Sequence, residues 1–348
     1  MPEKPDSISQ RKREHIELCL TGDVSFKNKT TGFENYDFRH YAITEVELKK
    51  INFITGFFGK KISYPFLISC MTGGVSEAEN INAQLAVAAN ELNIPIGVGS
   101  QRQALENKLY LQSYKALRKN APDIPVLGNI GAAQLVKFKN IDKVQYLAEL
   151  VSADAMVIHA NPLQELLQEK GEPDFKGFLK SIEKLVKYLT IPVIIKEVGS
   201  GISKKAAERL LNIGVKGIDV AGAGGTSWAG VEILRNKNGK GNEFWDWGLP
   251  TSYCLRTINK LKNKFDFLLI GSGGVNSALD AAKAFALGAD ITASARIILQ
   301  ELNKSGVEGV IKLIKDWFGI IKQVMYLTGS KSIAELQRSK IIRKEKLY

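Results

Sequence analysis

Four residues in the run HANPLQE carry most of the chemistry that is legible at first sight. His159, Asn161, Gln164 and Glu165 bring an imidazole, two amides and a carboxylate into seven positions. A single carboxylate sharing a cation with phosphate oxygens is a usual way to hold Mg2+, which keeps several of its waters. Taken singly, His159 also reads as a satisfied structural histidine and Glu165 as a surface carboxylate. Lys196 ends an apolar run and loses water unless it faces an anion. It could pair with Glu197, form a Schiff base, or contact an electron-rich ring. Arg11, Lys12 and His15 lie in a polar segment with helical spacing, so Arg11 and His15 share a face. That face is either a solvated basic helix or a clamp for an anion. Gly222–Ser227 and Ser272–Val275 are Gly-rich stretches of the kind that let backbone N–H groups approach a phosphate. Thr226 and Ser227 could add hydroxyls and Arg296 a charge; tight turns alone are the other reading. Neither stretch is a GxGxxG fingerprint, which disfavours a Rossmann dinucleotide site.

The elements that would hold these residues follow from the apolar runs. Eight short runs recur: Phe66–Cys70, Ile94–Gly99, Pro125–Ile130, Ala155–His159, Pro192–Lys196, Gly217–Val220, Phe267–Gly271 and Ala289–Ala293. Continuous apolar runs suit strands buried on both faces of a parallel sheet. Helix-length segments separate them. One is opened by Ser76 and Glu79 as a capping box, another by Asn276. Eight strand–helix repeats predict an α/β fold, a (β/α)8 TIM barrel over 65–330, with an open doubly wound sheet as the alternative. Each strand is followed by a polar or Gly-rich cluster: CMTGG, GSQR, NIGAAQ, HANPLQE, KEVGSG, AGAGGTSW, GSGGV and SAR. Barrel enzymes place their chemistry at those ends. Residues 1–64 form an N-terminal extension, residues 222–250 a long loop after strand six that reads as a lid, and residues 331–348 a basic tail.

The chain has 348 residues, with 48 Lys and Arg against 36 Asp and Glu, for a net charge of +12. Basic clusters stand at Arg11–Arg13, at Lys49–Lys61, at Arg235, Lys237 and Lys240, and at Lys340–Lys346. They are either a solvated surface or a field that attracts an anionic substrate. No basic stripe with interleaved aromatics points to nucleic acid. No apolar run approaches the roughly 18–20 residues of a membrane span. The polar start lacks the apolar centre of a secretory signal. Three widely spaced cysteines, Cys19, Cys70 and Cys254, argue against a disulfide framework or zinc site and for a reducing, cytoplasmic setting.

Together RKREHI, CMTGG, GSQR, HANPLQE, KEVGSG, GGTSWA, WDWGLPT and GSGGV resemble the type 2 isopentenyl-diphosphate isomerases, over about residues 11 to 330. The resemblance implies a flavoprotein barrel that interconverts isopentenyl and dimethylallyl diphosphate, with reduced FMN as acid–base catalyst, Mg2+ on the diphosphate and NADPH as reductant. It implies that Met71, Thr72, Gly73, Ser100, Asn129, Lys196, Thr226, Ser227, Gly273, Gly274, Ala295 and Arg296 surround FMN. It places Arg11, Lys12, His15, Arg102, His159 and Asn161 around the substrate, Gln164 beside the isoprene carbons as the catalytic residue, and Glu165 on Mg2+. It further implies a homotetramer or homo-octamer. Cys70 stands where the family pattern has a small residue such as Ala. A reduced flavin suits the chemistry, because no side chain here is an evident acid for an unactivated alkene. Two rivals remain at this level. One is an FMN-dependent oxidoreductase like the hydroxy-acid oxidases or the inosine monophosphate dehydrogenases. Those place a histidine or a cysteine after strand six, where this chain has AGAGGTSW. The other is a basic barrel that binds nucleotides without catalysis.

Overall fold

The computed structural model describes residues 7–236, 240–338 and 340–347. Residues 1–6 of the extension, Lys237 of the third basic cluster and positions 339 and 348 of the tail lie outside the described residues.

Eight parallel strands close on themselves: Phe66–Ile68, Ile96–Gly97, Val126–Gly131, Ala155–Ala160, Val193–Glu197, Gly217–Asp219, Leu268–Gly271 and Ile291–Ser294. Each falls on one of the apolar runs. The last strand pairs with the first through Thr292 and Phe66, which excludes the open sheet. Leu67, Leu127, Val157, Ile194, Ile270 and Ile291 pack inside the barrel, and the larger apolar cluster lies between the strands and the surrounding helices. The hairpin Thr55–Phe57 and Lys60–Ile62 adds Phe57 and Ile62 to the interior cluster, plugging the end where the strands begin. The opposite end is left for chemistry.

Helix starts depart from the sequence reading. The helix Ser76–Leu92 is preceded by Val75, and the Ser76 hydroxyl bonds Glu77 rather than capping the turn, so no capping box forms. The helix Ala278–Ala286 is capped by Ser277, whose side chain accepts from the Asp280 N–H, not by Asn276.

Residues 222–250 are not an open loop. They contain the helix Trp228–Asn236 and the short turn Asn242–Phe244. Ala229, Ile233 and Trp245 form a small core with Leu163 and Leu167. The Trp245 Nε1 donates to the Ser25 carbonyl at 2.8 Å, while Trp247 is exposed. The glycines at both ends disguise a segment whose middle has its own apolar face. The basic tail is likewise tied down. Ile341–Arg343 pairs antiparallel with Tyr36–Phe38 of the N-terminal extension. No helix among the described residues is long and apolar enough to cross a membrane.

Candidate active site

The C-terminal ends of the strands surround a cavity of about 540 Å3, within the roughly 300–1,000 Å3 of small-molecule sites. The N-terminal helix Ser7–Thr21 lies across it, contributing Arg11, Lys12, His15, Ile16 and Cys19. Of the site residues read from the sequence, Ser227 is the exception that does not line the cavity. Its buried hydroxyl donates to the Trp245 carbonyl at 2.6 Å and accepts from the Gly230 N–H at 3.0 Å. Ser227 therefore fastens the start of the helix Trp228–Asn236, and its one O–H is already given to the Trp245 carbonyl.

One end of the cavity is built for an anion by backbone. Gly224, Gly273 and Gly274 have φ of 110°, 93° and 71°, the region that favours glycine. A Cβ on Gly225 would stand 2.7 Å from the Gly274 Cα, so the loops after strands six and seven touch backbone to backbone. Among the described residues, the N–H groups of Gly225, Gly273 and Gly274 donate to no protein carbonyl. The helix that begins at Arg296 points its N-terminus at the same place. Arg296 itself is committed elsewhere. Its guanidinium donates to the Cys19 carbonyl at 3.0 Å, the Gly22 carbonyl at 2.8 Å and Ser25 Oγ at 3.0 Å, anchoring the end of the N-terminal helix.

The basic residues assigned to the clamp separate into different roles. Lys12 Nζ donates to the carbonyls of Gly73 and Ser100, stapling the helix to the first two strand ends. Arg102 pairs with Glu106 at 2.8 Å and with Glu172 at 3.4 Å. His15 Nε2 lies 2.9 Å from Glu232 Oε1. Burial holds its imidazole below the ordinary value, although Glu232 opposes this. Arg11 alone of these four has no hydrogen bond or ion pair among the described residues. Burial lowers its pKa, partly offset by Glu232 and Glu165; a guanidinium remains charged at neutral pH all the same.

Beneath that helix lies a polar wall. Asn161 Nδ2 donates to Gln164 Oε1 at 3.0 Å and to Glu165 Oε1 at 3.2 Å. Its Oδ1 is buried with no partner, an acceptor left over for a ligand. Glu165 Oε2 accepts from the Glu172 N–H at 2.7 Å. No group of three or more His, Cys, Asp or Glu that could hold a metal occurs among the described residues. A cation here would need oxygens from its substrate, as Mg2+ commonly does. Gln164 Nε2 donates to Glu232 Oε1 at 3.0 Å, and Glu232 Oε2 accepts from Arg235 at 2.6 Å. Burial works against that carboxylate, yet His15, Gln164 and Arg235 hold its pKa below the usual range. Sequence reading missed Glu232, because it sits in a segment taken for loop. Its spacing four residues after Trp228, which also lines the cavity, was the available signal.

Across the mouth, Lys196 Nζ lies 3.5 Å from Asp219 Oδ2 and donates to the Glu197 carbonyl at 2.9 Å. The Glu197 carboxylate is not its partner. It accepts instead from the N–H groups of Val198, Gly199 and Ser200. The Val98 carbonyl can only accept, so Asn129 gives it Nδ2 at 3.1 Å and turns Oδ1 to His159 Nδ1 at 2.8 Å. His159 must then carry its proton on Nδ1 and keep a lone pair on Nε2. Burial, with the Lys196 and Lys12 charges, pushes its pKa down to about 4. Burial pushes the Cys70 thiol up to about 12, so it is no nucleophile at neutral pH.

Known proteins match the chain over nearly its full length. The FMN-dependent dehydrogenase family matches residues 6–110 and 113–343. A protein of Pelodictyon phaeoclathratiforme (strain DSM 5477 / BU-1) named isopentenyl-diphosphate delta-isomerase is 43% identical over 350 residues, covering 97% of each chain. The chain belongs to the FMN-dependent isopentenyl-diphosphate delta-isomerase family. A member of that family from Pseudescherichia vulneris is 42% identical, over 97% of this chain and 98% of its own. Solved structures show the same fold at low identity. A flavocytochrome b2 variant has a TM-score of 0.70 at 19% identity, over 96% of this chain and 82% of its own. A lactate oxidase of Pediococcus acidilactici has a TM-score of 0.68 at 17% identity, over 97% and 94%. The cavity suits the cofactor of this isomerase family: free backbone N–H groups and a helix N-terminus for the FMN phosphate, and Lys196 and Asn129 on the wall beyond them.

Proposed function

We propose that this enzyme moves the double bond of isopentenyl diphosphate to give dimethylallyl diphosphate, and the reverse. What supports this reading most is Arg11, a half-buried guanidinium without a protein partner among the described residues, in the same cavity as Asn161, Gln164 and Glu165. A diphosphate would satisfy Arg11 and the leftover Asn161 Oδ1 would accept from water on its cation. FMN in its reduced form, once loaded by a donor such as NADPH, would supply an acid–base group and an electron-rich ring beside the allylic carbons.

The chain's own groups divide the remaining work. Gly225, Gly273 and Gly274 would hold the cofactor phosphate by backbone, with Thr226, Ala295 and Arg296 around it. Met71, Thr72, Gly73, Ser100, Asn129 and Lys196 would border the rest of it. Glu165 would take Mg2+ together with substrate oxygens and retained waters. Gln164, held by Glu232, would face the hydrocarbon. His159 would present a neutral Nε2 acceptor. Lys12 and Arg296 would keep the N-terminal helix closed over the mouth and so exclude water. His15 and Arg102 would border the substrate through their own carboxylate partners. We further propose that the enzyme works in the cytoplasm as a homotetramer or homo-octamer.

The hydroxy-acid oxidase reading lacks its base, since no histidine occurs between Ala221 and Pro250. The deciding experiment incubates isopentenyl diphosphate with enzyme, FMN, Mg2+ and a reductant, omitting each in turn. Dimethylallyl diphosphate should form with all four and fail without FMN, without reductant or without Mg2+. Product formation without flavin overturns the reading.

A further inference from the structure

A second cavity of about 370 Å3 lies away from the barrel mouth, between the strand pair Tyr36–Phe38 and Ile341–Arg343 and the helix Thr251–Ile258. It shares no lining residue with the active-site cavity. Three cations, Arg256, Arg343 and Lys344, line it against one carboxylate, Glu345. That carboxylate is taken by Arg343 at 2.7 Å. Lys344 Nζ stands 3.8 Å from Asp37, a loose pair. The Arg256 Nε is buried with no hydrogen-bond partner. Each arginine also stands over an aromatic face. The Arg256 Cζ is 5.8 Å from the centre of the Tyr253 ring, and the Arg343 Cζ is 6.0 Å from that of Tyr36.

The Arg256 Nε has lost its water and found no acceptor, a cost that an anion entering the cavity would relieve. Three positive charges against Glu345 on the wall and Asp37 beside Lys344 leave a surplus of one. A phosphate monoester carries about −1.5 to −2 at neutral pH and offers oxygens to two arginine forks. A bare cavity for a small inorganic ion would need no ring, whereas the exposed Tyr253 offers a flat face to an attached base. We propose that this cavity is a second anion site, separate from catalysis, that takes a phosphoryl group, either free phosphate or the phosphate of a nucleoside monophosphate. Gly32 lines the second cavity, and the preceding Thr31 packs its Cγ2 against Gly274 of the first.

The test titrates the FMN-loaded enzyme calorimetrically with inorganic phosphate, AMP and adenosine at about 0.15 M salt, where surface attraction is screened. One saturable site per chain is expected for AMP or for phosphate. Arg256→Gln and Arg343→Gln should each weaken it at least tenfold while the yellow colour and isomerase turnover persist. Arg11→Gln should leave it intact. Arg256→Lys, which keeps the charge, should lose less than Arg256→Gln and guards against a simple folding defect. AMP binding tenfold or more above phosphate identifies a nucleotide; equal binding identifies free phosphate. Absence of saturable binding, binding lost in Arg11→Gln instead, or adenosine binding as well as AMP overturns the proposal. Because isomerase turnover is read separately, failure here leaves the proposed activity untouched.

Discussion

Arg11 is half-buried, has lost part of its water and has no protein partner among the described residues, so its charge is available to a ligand. Hydrogen bonds to a charged group are worth roughly 1.5–3 kcal/mol, so Arg11→Gln should raise KM for the diphosphate about 10–100-fold at nearly constant FMN affinity. Steady-state kinetics with flavin titration checks this; an unchanged KM would remove Arg11 from the substrate site. Gln164 has its Nε2 fixed by Glu232 at 3.0 Å, which makes it a positioned group. Loss of one such group acting in the transition state costs on the order of 10²–10³ in rate, so Gln164→Ala should lower kcat by that factor with little change in KM. A KM rise at normal kcat would move Gln164 to the diphosphate end. Glu165→Gln should raise the Mg2+ concentration for half-maximal activity and leave FMN affinity alone. His159, pushed down to about 4 from an ordinary 6.5, also makes a stability prediction. The unfolded chain binds the His159 proton at higher pH than the folded one. The contribution is therefore fully present above pH 6.5 and is lost as pH falls through about 4. Urea unfolding of the wild type should weaken more steeply over that window than that of His159→Asn. Parallel curves would assign the acid sensitivity to another group.

At the scale of elements, the N-terminal helix and the loops after strands six and seven bring different groups to the cavity. The helix brings Arg11 over the cavity, while the free N–H groups belong to the loops after strands six and seven. Deleting residues 1–20 should leave a yellow protein with greatly weakened diphosphate binding. Loss of FMN with the truncation would count against this division, and the Arg296 contact to the Cys19 carbonyl is where such coupling would run. Conversely, Gly274→Ala places a Cβ at φ 71° and against Gly224 and Thr31, so it should strip FMN without touching the helix. Flavin content of the purified variant decides it.

For the whole molecule, the barrel gives a closed site in which the net reaction transfers no electrons. One anaerobic reduction by dithionite should switch the enzyme on for many turnovers with no further reductant consumed. An enzyme loaded with 5-deazaFMN, which has carbon in place of N5, should bind the cofactor and fail to isomerise. Reductant consumed one-for-one with product would make the enzyme a redox catalyst.

The eight strands were legible because continuous apolar runs of strand length have few other uses, and their polar ends marked the mouth. Residue chemistry likewise pointed to Arg11, Asn161, Gln164 and Glu165, since such groups are costly to bury without a purpose. What a linear pattern does not contain is which partner each polar group finds. Lys196 turned to Asp219 and to the Glu197 backbone carbonyl, not to the Glu197 carboxylate, which is filled by three local N–H groups. Ser227 turned inward to Trp245. Glu232 became the hinge of the polar wall only because a helix formed inside the supposed loop and aimed it at Gln164 and His15. Strand formation follows local apolar periodicity, readable along the chain. Hydrogen-bond pairing is a competition among groups distant in sequence, and only the closed barrel decides which of them meet.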